Sequence, residues 1–231
     1  MTRTVPLLAG ALSVASLLLM ILISNPVNAD PQEYRALIII SDYEGTDDHE
    51  LEKGVAFYDY LIENGYHDDD IIFLTSENVS CMDDNVTIEN INEAFQWLID
   101  EGKQKTTVNV YISDNTHHIA SRSYYQFSNG TVNCSDIIRW IDQISYDTLN
   151  YITLGNHSGW FGPQLVGENR VVISSMREFE ESFVDRFNIT RSLEDPTADT
   201  DCDGKVSFVE AFYNEEQLLI RYDQHPVLWC P

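Results

Sequence analysis

The stretch Ala36-Leu37-Ile38-Ile39-Ile40-Ser41 (ALIIIS) is an unbroken apolar run that ends in a polar residue. Such a run is typical of a β-strand that is covered on both faces, because neither face then needs polar side chains. From Asp48 onward, apolar residues recur at helical spacing until Asn64-Gly65, a pair that commonly ends a helix. These apolar residues are Leu51, Val55, Tyr58 and Ile62. The sequence therefore predicts a strand followed by a helix.

The same alternation of strand and helix continues along the chain. Further strands are predicted at residues 70–76, 107–113, 151–154 and 170–174, with helices opening near Thr87 and Ser135 and a hairpin around Asn129-Gly130. Because parallel strands need a crossover that helices supply, we expect an α/β fold, a three-layer α/β/α sandwich with a mostly parallel sheet. Function in such sheets collects at the carboxyl ends of the strands. In this chain those ends are residues 41–49, 113–118, 155–160 and 174–178.

The first residues read MTRTVPLLAGALSVASLLLMILISNPVNAD, with an apolar run from Val5 to Ile23 and small residues before Asp30. This pattern predicts a signal peptide at residues 1–29, and hence a protein that is secreted or held in the lumen of the secretory pathway. The alternative is an uncleaved anchor, since the run approaches the ~20 residues that span a bilayer. Five Asn-X-Ser/Thr sequons and four cysteines are consistent with a glycosylating, oxidising compartment.

The chain is strongly acidic, with 13 basic residues against 38 acidic ones and a formal net charge of −25. Such a charge excludes nucleic acid as an expected ligand. The acidity serves either to solvate the surface or to bind cations. The cysteines allow up to two disulfides in three possible pairings, and a Cys202–Cys230 bridge would tie an acidic loop to the tail. The four cysteines are Cys81, Cys134, Cys202 and Cys230.

Residues 199–210 (DTDCDGKVSFVE) match the spacing of a calcium-binding loop, including a glycine where the loop turns sharply. The expected ligands are Asp199, Asp201, Asp203, the carbonyl group of Lys205, Ser207 and Glu210. Because Pro196 leaves no room for a helix before the loop, we expect a lone structural calcium loop followed by a helix over residues 211–219. The alternative is an acidic surface loop that matches by coincidence.

Several segments together resemble the legumain family of cysteine peptidases, which have a caspase-like fold. They read ALIIIS, LIENGYHDDDIIFLTSEN, VTIENINEAFQWLID, VNVYIS, TVNCSDIIRWID and RVVISSMRE. The resemblance covers about residues 35–188 and implies a caspase-like domain at residues 30–193. Residues 194–231 add the calcium loop, a helix and a tail, which we expect to pack on the same domain.

The resemblance implies a histidine after the third strand and a cysteine after the fourth, with the thiolate attacking a carbonyl carbon while the imidazole handles the proton. The matching positions hold Asn115 and Asn156. A carboxamide neither ionises to a nucleophile nor acts as a general base near neutral pH. We therefore expect the family's ordinary mechanism to fail.

A rescue of catalysis would need a shifted serine–histidine pair, and the candidates are His117, His118 and Ser158. The competing interpretation is that both histidines face solvent in a loop. The expected function is thus a secreted, calcium-binding, catalytically inactive homologue that binds a peptide or protein, or pairs with an active relative. Two alternatives remain, an active cysteine-type or serine-type endopeptidase or transpeptidase with a nonstandard dyad, and an extracellular calcium-stabilised scaffold module. Membrane contact follows only if the leader stays uncleaved.

Overall fold

The computed structural model describes residues 32–41, 49–119, 122–182 and 184–231. The predicted signal peptide and the segment 42–48 after the first strand lie outside these residues. Residues 33–231 form one compact unit. Within the described ranges, no helix has the length and apolar character needed to cross a bilayer.

The strands of the described chain form one main sheet and one small sheet. The nine strands are β1 (Glu33–Ile40), β2 (Ile71–Thr75), β3 (Thr106–Ser113), β4 (Thr116–Ile119), β5 (Arg122–Phe127), β6 (Gly130–Asn133), β7 (Thr148–Leu154), β8 (Arg170–Ser174) and β9 (Val227–Trp229). The main sheet has the order β2-β1-β3-β7-β8-β9. Its strands are parallel except for β9, which pairs antiparallel with β8. The predicted mostly parallel sheet is confirmed.

Helices cover both faces of the main sheet. The six α-helices of the described residues are α1 (His49–Glu63), α2 (Ile88–Glu101), α3 (Cys134–Ile141), α4 (Gly162–Leu165), α5 (Ile189–Leu193) and α6 (Phe208–Leu219). Leu37 of β1 shares a buried cluster with Phe95 of α2, whereas its neighbour Ile38 shares the opposite cluster with Phe57 of α1. Because successive strand residues point to opposite faces, this division shows that β1 is buried on both sides, as its apolar run predicts.

The helix boundaries follow local capping chemistry. The hydroxyl of Thr87 accepts the N–H of Asn90 at 3.1 Å, so α2 begins where the sequence predicts. After α1, Gly65 takes a φ of 97°, as expected of a residue that ends a helix. Ser207 caps α6, which therefore begins at Phe208, three residues before the predicted start.

The small sheet follows directly from β3. Strand β5 pairs antiparallel with both β4 and β6, and the predicted hairpin around Asn129-Gly130 is the connection between β5 and β6. Strand β4, residues 116–119, replaces what the sequence predicts as a loop with solvent-facing histidines. Its sequence Thr-His-His-Ile has too few apolar residues to show the alternation that marks a strand.

The four cysteines are free thiols. The predicted disulfides, including Cys202–Cys230, are therefore not formed. Cys134 begins α3 and is buried in the core, while Cys202 and Cys230 are both exposed. Burial raises the pKa of the Cys134 thiol to about 12, which makes this residue a small apolar group of the core.

Candidate functional site

The two residues at the degenerate dyad positions, Asn115 and Asn156, lie side by side where β3 and β7 end. The N–H of Asn156 donates to Oδ1 of Asn115 at 3.4 Å. The N–H and the hydroxyl of Thr116 both donate to the carbonyl oxygen of Asn156, at 3.0 and 2.7 Å. Both asparagines are half-buried. We call Asn115, Asn156 and the turn of residues 155–160 the strand-end site.

The backbone of this turn depends on Gly155. Its φ of 114° is a value that residues with a side chain rarely adopt, and a Cβ atom there would lie 2.3 Å from the carbonyl oxygen of Asp114. His157 continues the turn in the left-handed region, with a φ of 61°. Residues 155–160, which the sequence places at the carboxyl end of a strand, thus form a tight turn that brings the β3 and β7 ends into direct contact.

The carboxamides of the strand-end site are used as hydrogen-bond acceptors. Oδ1 of Asn156 accepts the N–H of Ser182 at 2.7 Å, and Oδ1 of Asn115 accepts the N–H of Asn156. These contacts fix both side chains without giving either one a proton to exchange. Neither position can attack a carbonyl carbon or serve as a base.

Ser158 is not presented as a nucleophile. It is wholly buried in a short 3₁₀ turn, Ser158–Trp160. Its Oγ accepts the N–H of Met176 at 3.2 Å and lies 3.5 Å from Oγ of Ser175. Among the described residues, neither His117 nor His118 forms a hydrogen bond with it. Catalysis by Ser158 with one of these histidines finds no support in this geometry.

His117 and His118 belong to β4 and stack on aromatic rings, so the predicted solvent-facing loop is wrong. The ring of His117 lies 5.4 Å from that of Tyr124, and the ring of His118 lies 3.7 Å from that of Trp160 and nearly parallel to it. Nδ1 of His118 is 3.1 Å from Oγ of Ser123. The stacking partners come from separate strands and turns, so no local sequence pattern predicts that these rings stack.

The structure also contains a charged network, largely shielded from solvent and close to the strand-end site, that the sequence does not predict. The hydroxyl of Ser113 donates to Glu50 at 2.7 Å, and Nζ of Lys53 donates to the other Glu50 oxygen at 2.6 Å. Burial raises the pKa of Glu50, the charge of Asp185 raises it further, and Lys53 and Ser113 oppose the rise. In the sequence, Glu50 and Lys53 look like ordinary residues of the first helical turns, so no local pattern predicts their burial.

Asp185 is the hub of this network. Its carboxylate accepts the hydroxyl of Ser175, the N–H of Gly155 at 3.1 Å and the side-chain amide of Gln224 at 2.6 Å. Nζ of Lys53 donates to its carbonyl oxygen at 2.5 Å. One carboxylate thereby joins the turn after β7, the end of β8 and the C-terminal tail.

Asp114 adds a second buried carboxyl group at the end of β3. It is 4% exposed, and its Oδ2 has no hydrogen-bond partner among the described residues. Burial raises its pKa well above the ordinary value, although hydrogen bonds from the Asn115 and Gln126 backbone and the Ser41 side chain oppose the rise. The protonated acid is therefore favoured directly beside Asn115.

An exposed apolar wall borders the strand-end site. Trp160 ends the turn after β7, and the ring of Phe179, which is 80% exposed, meets it edge-on at 4.9 Å. Ile119, at the end of β4, is 63% exposed. Trp160 and Phe179 thus form a partly exposed aromatic pair, and exposed apolar patches commonly mark contact surfaces.

The predicted calcium loop brings three carboxylates together. Asp199, Asp201 and Asp203 each offer an oxygen, and these oxygens lie within 4.8 Å of one another. Oδ1 of Asp199 is buried without a partner among the described residues, while its Oδ2 accepts the N–H of Gly204 at 3.0 Å. Gly204 has a φ of 88°, as the sharp turn requires. These residues fit a hard divalent cation, which prefers oxygen ligands.

The remaining predicted ligands adjoin this cluster. Glu210 accepts hydrogen bonds from Ser207 and from Thr200, and backbone N–H of Ser207, followed by the Thr200 hydroxyl, lowers its pKa to about 2. The N–H of Lys205 donates to Oδ1 of Asp203 at 2.8 Å. A 3₁₀ turn, Pro196–Ala198, precedes the loop, so the loop lacks an entering α-helix, as predicted.

No protein-family model matches this chain, and no curated protein matches it significantly. The legumain-like resemblance of the sequence therefore stays a prediction. What supports a function is the geometry of the strand-end site and of the acidic loop.

Proposed function

We propose that this chain is a secreted, catalytically inactive homologue of the legumain-like peptidases, which binds a peptide or protein segment at the strand-end site. The observation that carries the proposal is the contact between Asn115 and Asn156. The Asn115 carboxamide accepts the backbone N–H of Asn156 at the junction of β3 and β7, and both residues stand where the family's chemistry would need an imidazole and a thiol. The partner is either a peptide ligand or an active relative.

The fold supports a caspase-like assignment at the level of architecture. A mostly parallel sheet lies between two helical layers, and the turn after β7 lies beside the turn after β3. Ligands of open α/β sheets bind outside the carboxyl ends of the strands. The apolar wall of Trp160 and Phe179 gives a peptide side chain a surface to pack against at this edge.

A matched pair of variants tests whether these positions correspond to the family's dyad. Asn115→His/Asn156→Cys places an imidazole beside a thiol, whereas Asn156→Cys alone supplies only the thiol. Because an adjacent imidazole lowers the pKa of a thiol, the double variant is expected to react about tenfold faster with a peptidyl electrophile. Mass spectrometry assigns the adduct to residue 156 and separates it from the four native cysteines. Equal rates in the two variants would overturn the assignment.

An active serine-type hydrolase is a second candidate, and one contact favours it. Oγ of Ser123 lies 3.1 Å from Nδ1 of His118, a separation suited to proton transfer. Against it, Ser123 is 2% exposed, and Gln164 also donates to its hydroxyl at 3.3 Å. Incubation of the native chain with a mixed peptide library is expected to give no cleavage. Products that disappear in Ser123→Ala or Ser158→Ala would establish the hydrolase.

We infer that the loop of residues 199–210 binds Ca2+ and that the ion stabilises the C-terminal part of the chain. Asp199, Asp201, Asp203, the Lys205 carbonyl, Ser207 and Glu210 would hold the ion. A calcium-stabilised scaffold without a peptide ligand remains the third candidate, and the acidic cluster alone favours it. When bound, the cation would neutralise carboxylates that otherwise repel one another.

Thermal unfolding in calcium and in chelator tests the loop. A ligand that binds only the native state stabilises it by about 2.7 kcal/mol at a hundredfold excess over Kd, so the melting temperature should rise with calcium. Glu210→Gln is expected to abolish most of that rise. Glu93→Gln, an exposed carboxyl on α2, is the control and should keep it. An equal calcium response in Glu210→Gln would refute the ligand set.

A further inference from the structure

A groove on the helical side of the fold groups several basic side chains of this acidic chain. It lies between α1, the segment after residue 184 and the end of α6, and has a volume of about 680 Å³. Four of the 13 basic residues line it, namely Lys53, Arg186, Arg191 and Arg221. We call it the cationic groove. Two acidic residues, Glu52 and Asp185, line the same groove.

Two of these cations are already neutralised and two are not. Lys53 pairs with Glu50, and Arg191 pairs with Glu215. Within the described part of the chain, Arg186 and Arg221 have no carboxylate within ion-pair distance. The guanidinium carbons of Arg186 and Arg221 instead lie 4.5 and 4.7 Å from the ring centroid of Tyr222.

A guanidinium held over an aromatic ring keeps its in-plane N–H donors available. Arg186 and Arg221 are both exposed, so a ligand can reach those donors. Carboxylate and phosphate groups both bind guanidinium edges in a bidentate manner. Each arginine of the pair is therefore prepared to bind such an anionic group at little cost in side-chain ordering.

The other residues that line the groove indicate which further groups a ligand with a carboxylate would carry. Leu218 and Tyr222 are 37% and 45% exposed and supply an apolar part of the groove lining beside the arginines. Glu52 and Asp185 also line the groove, so a ligand of high negative charge density, such as a phosphate group, meets repulsion there. A volume near 680 Å³ lies in the usual range for small-ligand sites. A short segment with one or two carboxylates and an apolar side chain matches this lining.

We propose that the cationic groove binds an acidic peptide segment, with carboxylates on Arg186 and Arg221 and a neighbouring apolar side chain on Leu218 and Tyr222. This site is separate from Asn115 and Asn156 and does not rest on the function proposed for them. The net charge of −25 repels an acidic ligand at long range, but screening limits that repulsion to about 8 Å at physiological ionic strength. Contact with two unpaired guanidinium groups then decides the binding.

Fluorescence anisotropy with a labelled peptide tests the proposal. The probe is acetyl-Leu-Glu-Tyr-Glu-amide carrying a fluorophore, and its matched control replaces both glutamates with glutamine. The full chain is expected to bind the glutamate peptide at least about tenfold more tightly than the glutamine peptide, because each charge-assisted contact is stronger than a neutral one. Equal affinities for the two peptides would overturn the proposal.

Variants locate the binding. Arg186→Gln/Arg221→Gln is expected to raise Kd by about tenfold or more, whereas Arg139→Gln, an exposed arginine on α3, should leave Kd unchanged. Arg186→Lys should keep part of the affinity, which separates lost charge from lost folding. An unchanged Kd in the double variant, or displacement of the peptide by inorganic phosphate at lower concentration than by acetate, would overturn the assignment.

Discussion

Asp114 and Glu50 are carboxyl groups that the fold buries next to the strand-end site. Burial raises the pKa of both, so each costs the folded state stability once the pH is high enough to ionise it. A protein that needed only a stable core would have apolar residues in these places. Carboxyl groups kept at such a cost are typical of sites selected for binding or chemistry.

The pH dependence of stability reports the burial of Asp114. Its folded pKa is raised, so the stability it contributes is complete below the ordinary value of 3.8 and is lost as the pH rises through the folded pKa. Asp114→Asn cannot ionise and should lose less stability between acidic and mildly alkaline pH. Urea unfolding across that range measures it, with the exposed Asp69→Asn as control. Parallel pH profiles for the wild type and Asp114→Asn would contradict the burial.

Gly155 allows the ends of β3 and β7 to approach each other closely. Gly155→Ala adds a Cβ atom 2.3 Å from the Asp114 carbonyl oxygen at a φ of 114° and should cost about 2–4 kcal/mol of unfolding free energy. At Gly204 the φ is 88°, but no atom lies within 4 Å of the added Cβ. Gly204→Ala should therefore cost only about 1–2 kcal/mol. Equal losses in denaturant unfolding would show that the close approach is not rigid.

At the scale of elements, the strands of the main sheet could be predicted where apolar runs are long. β1, β3, β7 and β8 are buried on both faces, and their β-branched runs show it directly. β9 has three residues after a proline, and it forms only because β8 offers an open edge. Because the tertiary fold supplies the strand that β9 pairs with, the three residues of β9 alone do not predict a strand.

The same distinction applies to the candidate site. The contact between Asn115 and Asn156 could be expected from the sequence, because both follow strands that end at one sheet edge. Glu50, Asp185 and Gln224 could not, since their partners stand far away in the chain. Charged residues of helices and loops are usually exposed, and only packing reverses that rule.

Glu215 holds α5 to α6. It is fully buried and accepts hydrogen bonds from the N–H of Asn188, the guanidinium of Arg191 and the hydroxyl of Ser192. Glu215→Ala leaves these donors unpaired and should cost about 3 kcal/mol of unfolding free energy. Gln217→Ala, at an exposed position of the same helix, should change it by less than about 0.5 kcal/mol. Similar losses in denaturant unfolding would rule out this anchoring role.

At the scale of the whole molecule, the net charge of −25 opposes folding through self-repulsion. Raising NaCl from about 0.02 M to about 0.5 M shortens the Debye length several-fold and should raise the urea midpoint. Calcium at matched ionic strength should add a further increase if the acidic loop binds it. A urea midpoint that falls with salt would show that attractive ion pairs outweigh the repulsion.

Gln224 connects the C-terminal tail to the residues that follow β8. Its side chain donates to the carbonyl oxygen of Ser175 and to Asp185, and it accepts the N–H of Arg186. The tail that follows α6 is thus hydrogen-bonded to Asp185, which also accepts the N–H of Gly155 in the turn that contains Asn156. A protease that trimmed residues 224–231 would remove these hydrogen bonds together with β9, and the strand-end site would lose support although none of its own residues had been removed.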